Sequence, residues 1–468
     1  LLYSKKVACP DVIFSSKARK IGQSAIRKTH YTGEMMRFVD LFAGIGGIRL
    51  GFEQTMQELG IPCHCVLSSE IDKFAQETYA LNFGETPQGD IYGIQQFPEF
   101  DFLLAGFPCQ PFSYAGKQQG FGDTRGTLFF EIERILREHR PKGFLLENVR
   151  GLTTHDKGRT FKTILQHLEA LGYGVEYLLL NGSSFGIPQN RVRVYIVGIY
   201  QDTPRLAIQS DLGAADSHKF KDKLTQSSLF ETSYPLRVVR DILEPSPASK
   251  YDCSVDFTQR LLRMVDGKAE NLHGIRMIDH RNGNSIHSWE LGIKGECTED
   301  EIAFMNALIA NRRKKHFGAE QDGKKLTLEQ IKTFFNPPDL DNIMRGLLNK
   351  GYLKDHGGKF NPVAGNMSFE VFKFLDPDSI SITLVSSDAH KLGVVHNGHI
   401  RRITPRECAR LQGFPDSFLL HPQDTNAYRQ FGNSVSVPVI KAVLLDLFRG
   451  NSQVLLPIST KTSLSQAA

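Results

Sequence analysis

The sequence predicts an α/β fold: a largely parallel sheet with helices on both faces, joined to a smaller, irregular region. Three observations predict it. Short apolar runs alternate with segments of helical periodicity from Phe38 to about Tyr200. The first run feeds a glycine turn, Gly44-Ile45-Gly46-Gly47. Later runs end on a cysteine or a carboxylate, at the strand ends where open α/β sheets bind ligands.

The elements follow in order. Arg37–Phe42 reads as a strand, Ile48–Leu59 as a helix, Cys65–Ser69 as a second strand and Asp72–Leu81 as a helix. Gly89-Asp90-Ile91 marks a third strand-to-loop junction. Phe102–Ala105 is a buried strand, Leu128–Glu138 an amphipathic helix, Gly143–Leu146 a strand and Thr160–Leu171 a helix. Val192–Ile199 closes the alternation. Residues 201–235 are rich in Ser, Gln, Asp, Lys and Thr, as a linker is. From about Arg237 to Ile400 the pattern is irregular. Within it Thr298–Asn311, Leu326–Phe335 and Leu340–Lys350 read as helices and Gly351–Phe360 as a hairpin, a winged-helix-like insert at about 298–360. Alternation resumes at Ile403, with Pro405 in the first turn of a helix that starts at Thr404 and a last helix over Val435–Arg449. The expected division is a dispensable leader (1–36), a catalytic unit (37–200), a linker and recognition region (201–400), a returning segment that completes the first unit (401–450) and a frayed tail (451–468).

Composition narrows the chemistry. In 468 residues, 40% apolar and 23% charged side chains are ordinary for a globular chain of two or three domains. A net charge of +5 is compatible with a polyanionic partner. No apolar run approaches the ~20 residues of a membrane span. The seven cysteines are scattered with no C-x-x-C pair, which argues against a disulfide scaffold or structural zinc. Cys63-His64-Cys65 reads as part of a strand, and no metal is expected. A free reactive thiol suits a reducing compartment, the cytoplasm.

The Gly44–Gly47 turn lets backbone amides approach a ligand. A G-x-G-x-x-G dinucleotide fingerprint would need glycine where Arg49 stands. Glu70 and Asp90 follow successive strands, positions suited to ribose hydroxyls and an adenine amino group or to plain solvated carboxylates. Cys109, between Pro108 and Gln110-Pro111, is held after a buried strand; as a nucleophile it needs an electropositive setting. Glu147 ends another buried strand, where desolvation raises a carboxyl pKa and readies it as a proton donor. Arg191 and Arg193 share one strand face and suit phosphate, a base carbonyl or a surface ion pair.

These pieces, with Arg125–Phe130, Glu147-Asn148-Val149, Gln189–Arg193, Arg406–Pro415 and Gln430–Val435, resemble the DNA (cytosine-5)-methyltransferases over about 37–200 and 401–445. Thr383-Leu384 resembles a pair common in the recognition regions of that family. The resemblance implies a Rossmann-like S-adenosylmethionine-dependent methyltransferase domain and duplex DNA as partner. It implies that a cytosine is flipped out of the helix, because its C5 and C6 are out of reach in the stack. Carried over, Cys109 attacks C6, Glu147 holds N3, Arg193 contacts O2 with Arg191 nearby, and Asn148 braces the Cys109 loop. Phe42, Gly44, Gly46, Glu70, Ile71, Asp90, Ile91, Pro108, Asn433 and Ser434 are expected around the cofactor. Ile71 stands where the family often has an aromatic. Gln110, Ser113, Lys117 and Arg125 are expected on DNA, with 114–123 as a closing lid, and Arg312–His316 is a further basic run. The compact motif set resembles that of bacterial restriction-modification enzymes, which implies a monomer matched in function to an endonuclease without a stable complex. A transfer-RNA methyltransferase, a silent DNA-binding regulator and a Cys-His hydrolase are the alternatives. The long 201–400 region and the intact cofactor motifs disfavour them.

Overall fold

The computed structural model describes residues 35–108, 128–211, 236–318, 324–363 and 369–456. In chain order the first unit contains β1 (Met36–Leu41), α1 (Gly47–Leu59), β2 (Cys63–Ser69), α2 (Lys73–Phe83), β3 (Phe102–Gly106), α3 (Leu128–His139), β4 (Gly143–Val149), α4 (Arg159–Ala170), β5 (Tyr173–Asn181) and β6 (Val192–Tyr200). The six strands form one sheet in the order β2-β1-β3-β4-β6-β5. β2, β1, β3 and β4 are parallel to one another, and β6 runs antiparallel to both β4 and β5.

The apolar runs are continuous because both faces are covered. Phe38, Phe102, Leu104 and Leu145 join a core with Phe52 and Met56 of α1. Their neighbours Val39, Leu103, Ala105, Phe144 and Leu146 point the other way, onto Ile132 and Leu136 of α3 and Ile164 and Leu168 of α4. A strand alternates sides every residue, so only a run apolar at every position can fill two cores.

The remaining elements are α5 (Val255–Met264), β7 (Arg276–Met277), β8 (Ser285–Ile286), α6 (Glu299–Asn311), β9 (Leu326–Thr327), α7 (Leu328–Lys332), α8 (Leu340–Lys350), β10 (Leu353–Asp355), β11 (Lys359–Pro362), β12 (Lys373–Leu375), β13 (Leu392–His396), β14 (His399–Arg402), α9 (Pro405–Leu411), α10 (Asp424–Asn433), α11 (Val437–Gly450) and α12 (Ser452–Leu455). A five-stranded sheet, β14-β13-β12-β7-β8, shares a core with α5 through Phe257, Leu261, Met277 and Phe374. α6 to α8 and the sheet β10-β11-β9 surround another core, with Trp289, Phe304, Leu308 and Leu347.

The chain then returns to the first sheet. Val439, Ile440, Val443 and Leu447 of α11 fill the core over β1 and β3. Gly51 makes that approach close, since a Cβ there would lie 2.6 Å from Ile440. Asp424–Gly450 contains an 18-residue window long and apolar enough by composition to cross a bilayer, and 61% of that window is buried inside the protein. A buried ion pair ties β14 to α9: Arg401 meets Glu407 through two bonds of 2.7 and 2.9 Å. Glu407 also accepts the Thr404 amide as half of a capping box.

Several boundaries differ from those expected. Met36 belongs to β1, 1% exposed, rather than to a leader. Gly89-Asp90-Ile91 follows an isolated Ser69–Gln88 bridge instead of a full strand. β5 was not expected: its outer face is solvated, which breaks the apolar run at Glu176. Leu326–Phe335 is a two-residue strand and a short helix, because Thr327 caps α7 and Phe360 recruits Leu326 into a ladder. The linker begins docked: Ala207 and Ile208 amides bond Asp446 at 2.8 and 2.9 Å. The tail is ordered through α12, with Asn451 bonded to Arg205 and Leu455 buried.

Candidate functional site

A cavity of about 730 Å³ opens at the carboxyl ends of β1 to β4. Its floor begins with the turn after β1. Phe42 has φ +53° and Gly44 φ +55°. A bulky residue in the left-handed region is strained, by about 1–3 kcal/mol, and such strain concentrates at functional sites. A Cβ at Gly44 would meet nothing within 4 Å, so backbone conformation rather than crowding demands glycine there.

Glu70, after β2, holds this turn. Its two oxygens accept the Gly44 and Asp72 amides, each at 2.8 Å. Burial pushes its pKa up and those amides oppose the shift. α1 starts at the same wall with no side-chain cap and no acidic residue in its first turn, so its leading amides leave a positive end near Gly47 and Ile48. Ile71 is 70% exposed beside the cavity; Ile91 and half-exposed Tyr92 add apolar surface. Asp90 caps the turn over Ile91 by accepting the Tyr92 amide at 3.1 Å.

The other wall is polar. Glu147 lies near the end of β4 and is buried; Arg193 Nε lies 3.3 Å from its Oε1. Burial raises the Glu147 pKa, and the Arg193 and Arg191 charges only partly offset this. Asn148 donates to the Phe107 carbonyl at 2.9 Å, just before Pro108, which lines the cavity. Asn433 and Ser434 arrive from the end of α10.

Expectation and placement differ at several residues. Arg191 and Arg193 flank one position, yet they do different work. Arg191 donates to the Leu384 carbonyl at 2.7 Å and to the Ser434 carbonyl, tying two distant segments to β6. Burial and the Arg193 charge pull its pKa down, and a guanidinium still keeps its proton at neutral pH. Gly46 is not among the cavity walls. Its amide bonds Ala43, and a Cβ there would sit 2.2 Å from the Phe83 ring, so packing against α2 excludes a side chain. Arg49 explains the missing fingerprint glycine: it is buried against Tyr79 (2.9 Å) and Glu53 (2.7 Å), with its guanidinium 4.2 Å from the centre of Phe83. Cys109, Gln110, Ser113, Lys117 and Arg125, and the segment 114–123 expected to act as a lid, lie outside the described residues.

Sequence reasoning missed the role of Gln189. It is fully buried, donates to the Leu411 carbonyl at 2.7 Å and accepts the Leu384 amide at 2.8 Å. Beside it Thr383 donates to the Asn190 carbonyl at 2.5 Å, and Val385 and Ser386 reach the cavity wall. The Gln189–Arg193 motif and the Thr383-Leu384 pair both point here, without showing that they meet.

Comparison with known proteins agrees with this geometry. Residues 36–449 match the family model for the C-5 cytosine-specific DNA methylases. The chain is 74% identical over 415 residues to the type II methyltransferase M.HgiCI of Herpetosiphon aurantiacus, covering 89% of this chain and 98% of that protein. It is 68% identical over 416 residues to M.BanI of Aneurinibacillus aneurinilyticus, covering 89% and 96%. To M.NlaIV of Neisseria lactamica it is 42% identical over 442 residues, covering 88% and 98%. On a Rossmann-like α/β sheet whose strand ends gather the glycine turn, Glu70, Glu147 and Arg193, this chain belongs to the C-5 cytosine-specific DNA methylases of type II restriction-modification systems.

Proposed function

We propose that this enzyme transfers a methyl group from S-adenosylmethionine to C5 of a cytosine flipped out of a specific duplex sequence, through a transient bond between Cys109 and C6. The observation that carries the reading is one cavity whose two walls differ. One wall has a strained glycine turn, an uncapped helix start and apolar flanks; the other has a buried carboxyl facing an arginine.

The first wall fits the cofactor. The start of α1 suits a carboxylate. The open space at Gly44 admits a ligand against the backbone. Glu70 keeps lone pairs free for ribose hydroxyls, and Ile71 and Ile91 offer apolar faces to an adenine. When bound, S-adenosylmethionine supplies an electrophilic methyl carbon. Phe42, Asp90, Pro108, Asn433 and Ser434 complete that side, and no metal is involved.

On the second wall, the Cys109 thiolate adds to C6 and the ring electrons move toward C5. Glu147 gives its proton to N3, so that charge does not build on the ring. Burial keeps that proton on Glu147 at higher pH than an ordinary carboxyl would hold it. Arg193 orients O2. Asn148 fixes the backbone at Phe107 and in that way braces the chain leading to Cys109. After C5 accepts the methyl group, its proton leaves to water, the electrons of that bond restore C5=C6 as the C6–sulfur bond breaks to free the Cys109 thiolate, and N3 returns its proton to Glu147. In the cell the modification shields host DNA from a cognate endonuclease.

The test is transfer of tritiated methyl to duplex DNA by the full chain and by Cys109→Ser. The parent labels DNA and the variant does not; equal labelling would remove the nucleophile. Duplex containing 5-fluorocytosine traps the parent as a denaturation-resistant adduct, because fluorine cannot leave as a proton does. Labelling of transfer RNA alone would point to the other substrate.

A further inference from the structure

The segment from α6 to β11 runs helix, strand, helix, helix, strand, strand, with β9 paired to the second strand of the β10–β11 hairpin. Its sheet has two unlike faces. Cross-strand partners share a face, and alternate residues change face. Leu353, Phe360 and Leu326 lie on one side and pack into the core around Trp289. On the other side Lys354 pairs with Asn361 and Lys359 with Thr327. Lys325, two residues before Thr327, falls on that same side. Lys325, Lys354 and Lys359 are exposed, and none has an ion-pair partner among the described residues. Partial desolvation and the Lys325 and Lys354 charges hold the His356 pKa down, which places both cations near the hairpin tip.

The positive surface continues past the sheet. Arg312 donates to Asn361 at 2.6 Å and lies 3.4 Å from the His280 carbonyl. Around His280, desolvation and the charges of Arg281, Arg313 and Arg312 all disfavour a further proton. The carboxylates nearby are engaged locally: Asp279 takes the Ser288 amide and hydroxyl, and Asp355 takes the Gly358 amide.

We propose that this band, Arg281, Arg313, Lys325, Lys354 and Lys359, braced by the buried Arg312, tracks the sugar-phosphate backbone of duplex DNA and supplies affinity without reading sequence. Five cations arrayed around a sheet register and the buried Arg312 match the regular anionic charge of a duplex. The inference rests on the duplex-DNA reading above.

The test uses the full chain carrying Lys325→Ala, Lys354→Ala and Lys359→Ala together, with a fluorescein-labelled mixed-sequence duplex of about 40 base pairs titrated over a range of salt. Each phosphate contact contributes a slope of about 0.9 in log K against log salt, so the triple variant should bind about tenfold or more weakly at low salt, with a slope shallower by about 2–3. The triple Lys→Arg variant should keep the parent slope. An unchanged slope in a folded triple-alanine variant overturns the proposal while leaving methyl transfer standing. A loss seen with duplex RNA and not with duplex DNA overturns it too. A parent that neither labels nor binds duplex DNA would sink the functional reading itself.

Discussion

In the six-stranded sheet, strands such as Met36–Leu41, Phe102–Gly106 and Gly143–Val149 are covered on both sides, and their charged side chains, Arg37, Asp40 and Glu147, lie toward the strand ends. In the three-stranded sheet of the insert, one face packs on a core while the other carries lysines along its length. The difference shows how strand burial decides where charge does its work. Two-sided burial drives polar groups to strand ends, where they converge and are desolvated. One-sided burial spreads them over a surface, where they stay hydrated and act through collective charge. The first arrangement shifts pKa values, as at Glu147; the second, on the proposal above, tunes affinity for DNA.

The sharpest way to break this contrast is Glu147→Gln. Loss of the acid should lower the methyl-transfer rate by about 10²–10⁴-fold while DNA affinity changes little. Glu147's pKa is raised, so the parent rate should fall as pH rises through that value and the acid loses its proton. Single-turnover rates across pH check both points; a Gln variant that keeps the same falling limb would assign the titration to another group.

Arg401→Met should be nearly as severe for stability. It leaves Glu407 buried without its cation, at a cost of about 3–5 kcal/mol in urea unfolding. A loss under about 1 kcal/mol, far below that figure, would mean the pair is solvated.

Asp40 supplies a pH test inside a doubly covered strand. Burial pushes it up to about 7, against the attraction of Arg49. The folded protein then holds a proton that the unfolded chain has released between about pH 4 and 7, so stability declines as pH rises through that window, on the order of 1–4 kcal/mol. Asp40→Asn should flatten the decline in unfolding free energy measured over this range.

Arg191→Lys and Arg193→Lys separate two residues that look alike in the sequence. The first loses one of two carbonyl bonds and should cost about 1–2 kcal/mol in stability. The second should leave Tm in place and slow turnover. Effects in the reverse order would exchange their roles.

The smallest expected effect sharpens the other side. Thr298→Ala removes the cap of α6 and should weaken the insert by about 1 kcal/mol. Hydrogen exchange should rise in α6 and α8 and stay unchanged in β1 to β4.

Much of the fold was legible because its causes are local. Strand and helix positions in the first unit follow from apolar period, and the starts of α9 and α6 follow from Thr404 and Thr298 three residues before a glutamate. β5 was hidden because its solvated outer face interrupts the apolar run. The brief strand β9 was hidden because its partner lies more than thirty residues later in the chain. At the site, Glu70, Glu147 and Arg193 were readable from their places at strand ends. Gln189 was visible as the start of the Gln189–Arg193 motif, but its role was not, since an uncharged side chain in a loop does not show its partners. Its meaning comes from Leu384 and Leu411, each roughly two hundred residues away.

By itself, then, the amino-acid order determined the alternating sheet, the turn after β1 and the carboxyls and arginines at the strand ends, because each depends on residues close in sequence. Only the tertiary structure decided that Arg191 serves as a clamp and Arg193 faces Glu147, that Gly46 answers to Phe83, and that three lysines of the insert share one face. Those outcomes depend on which distant segment arrives beside each side chain, and on how much water it displaces.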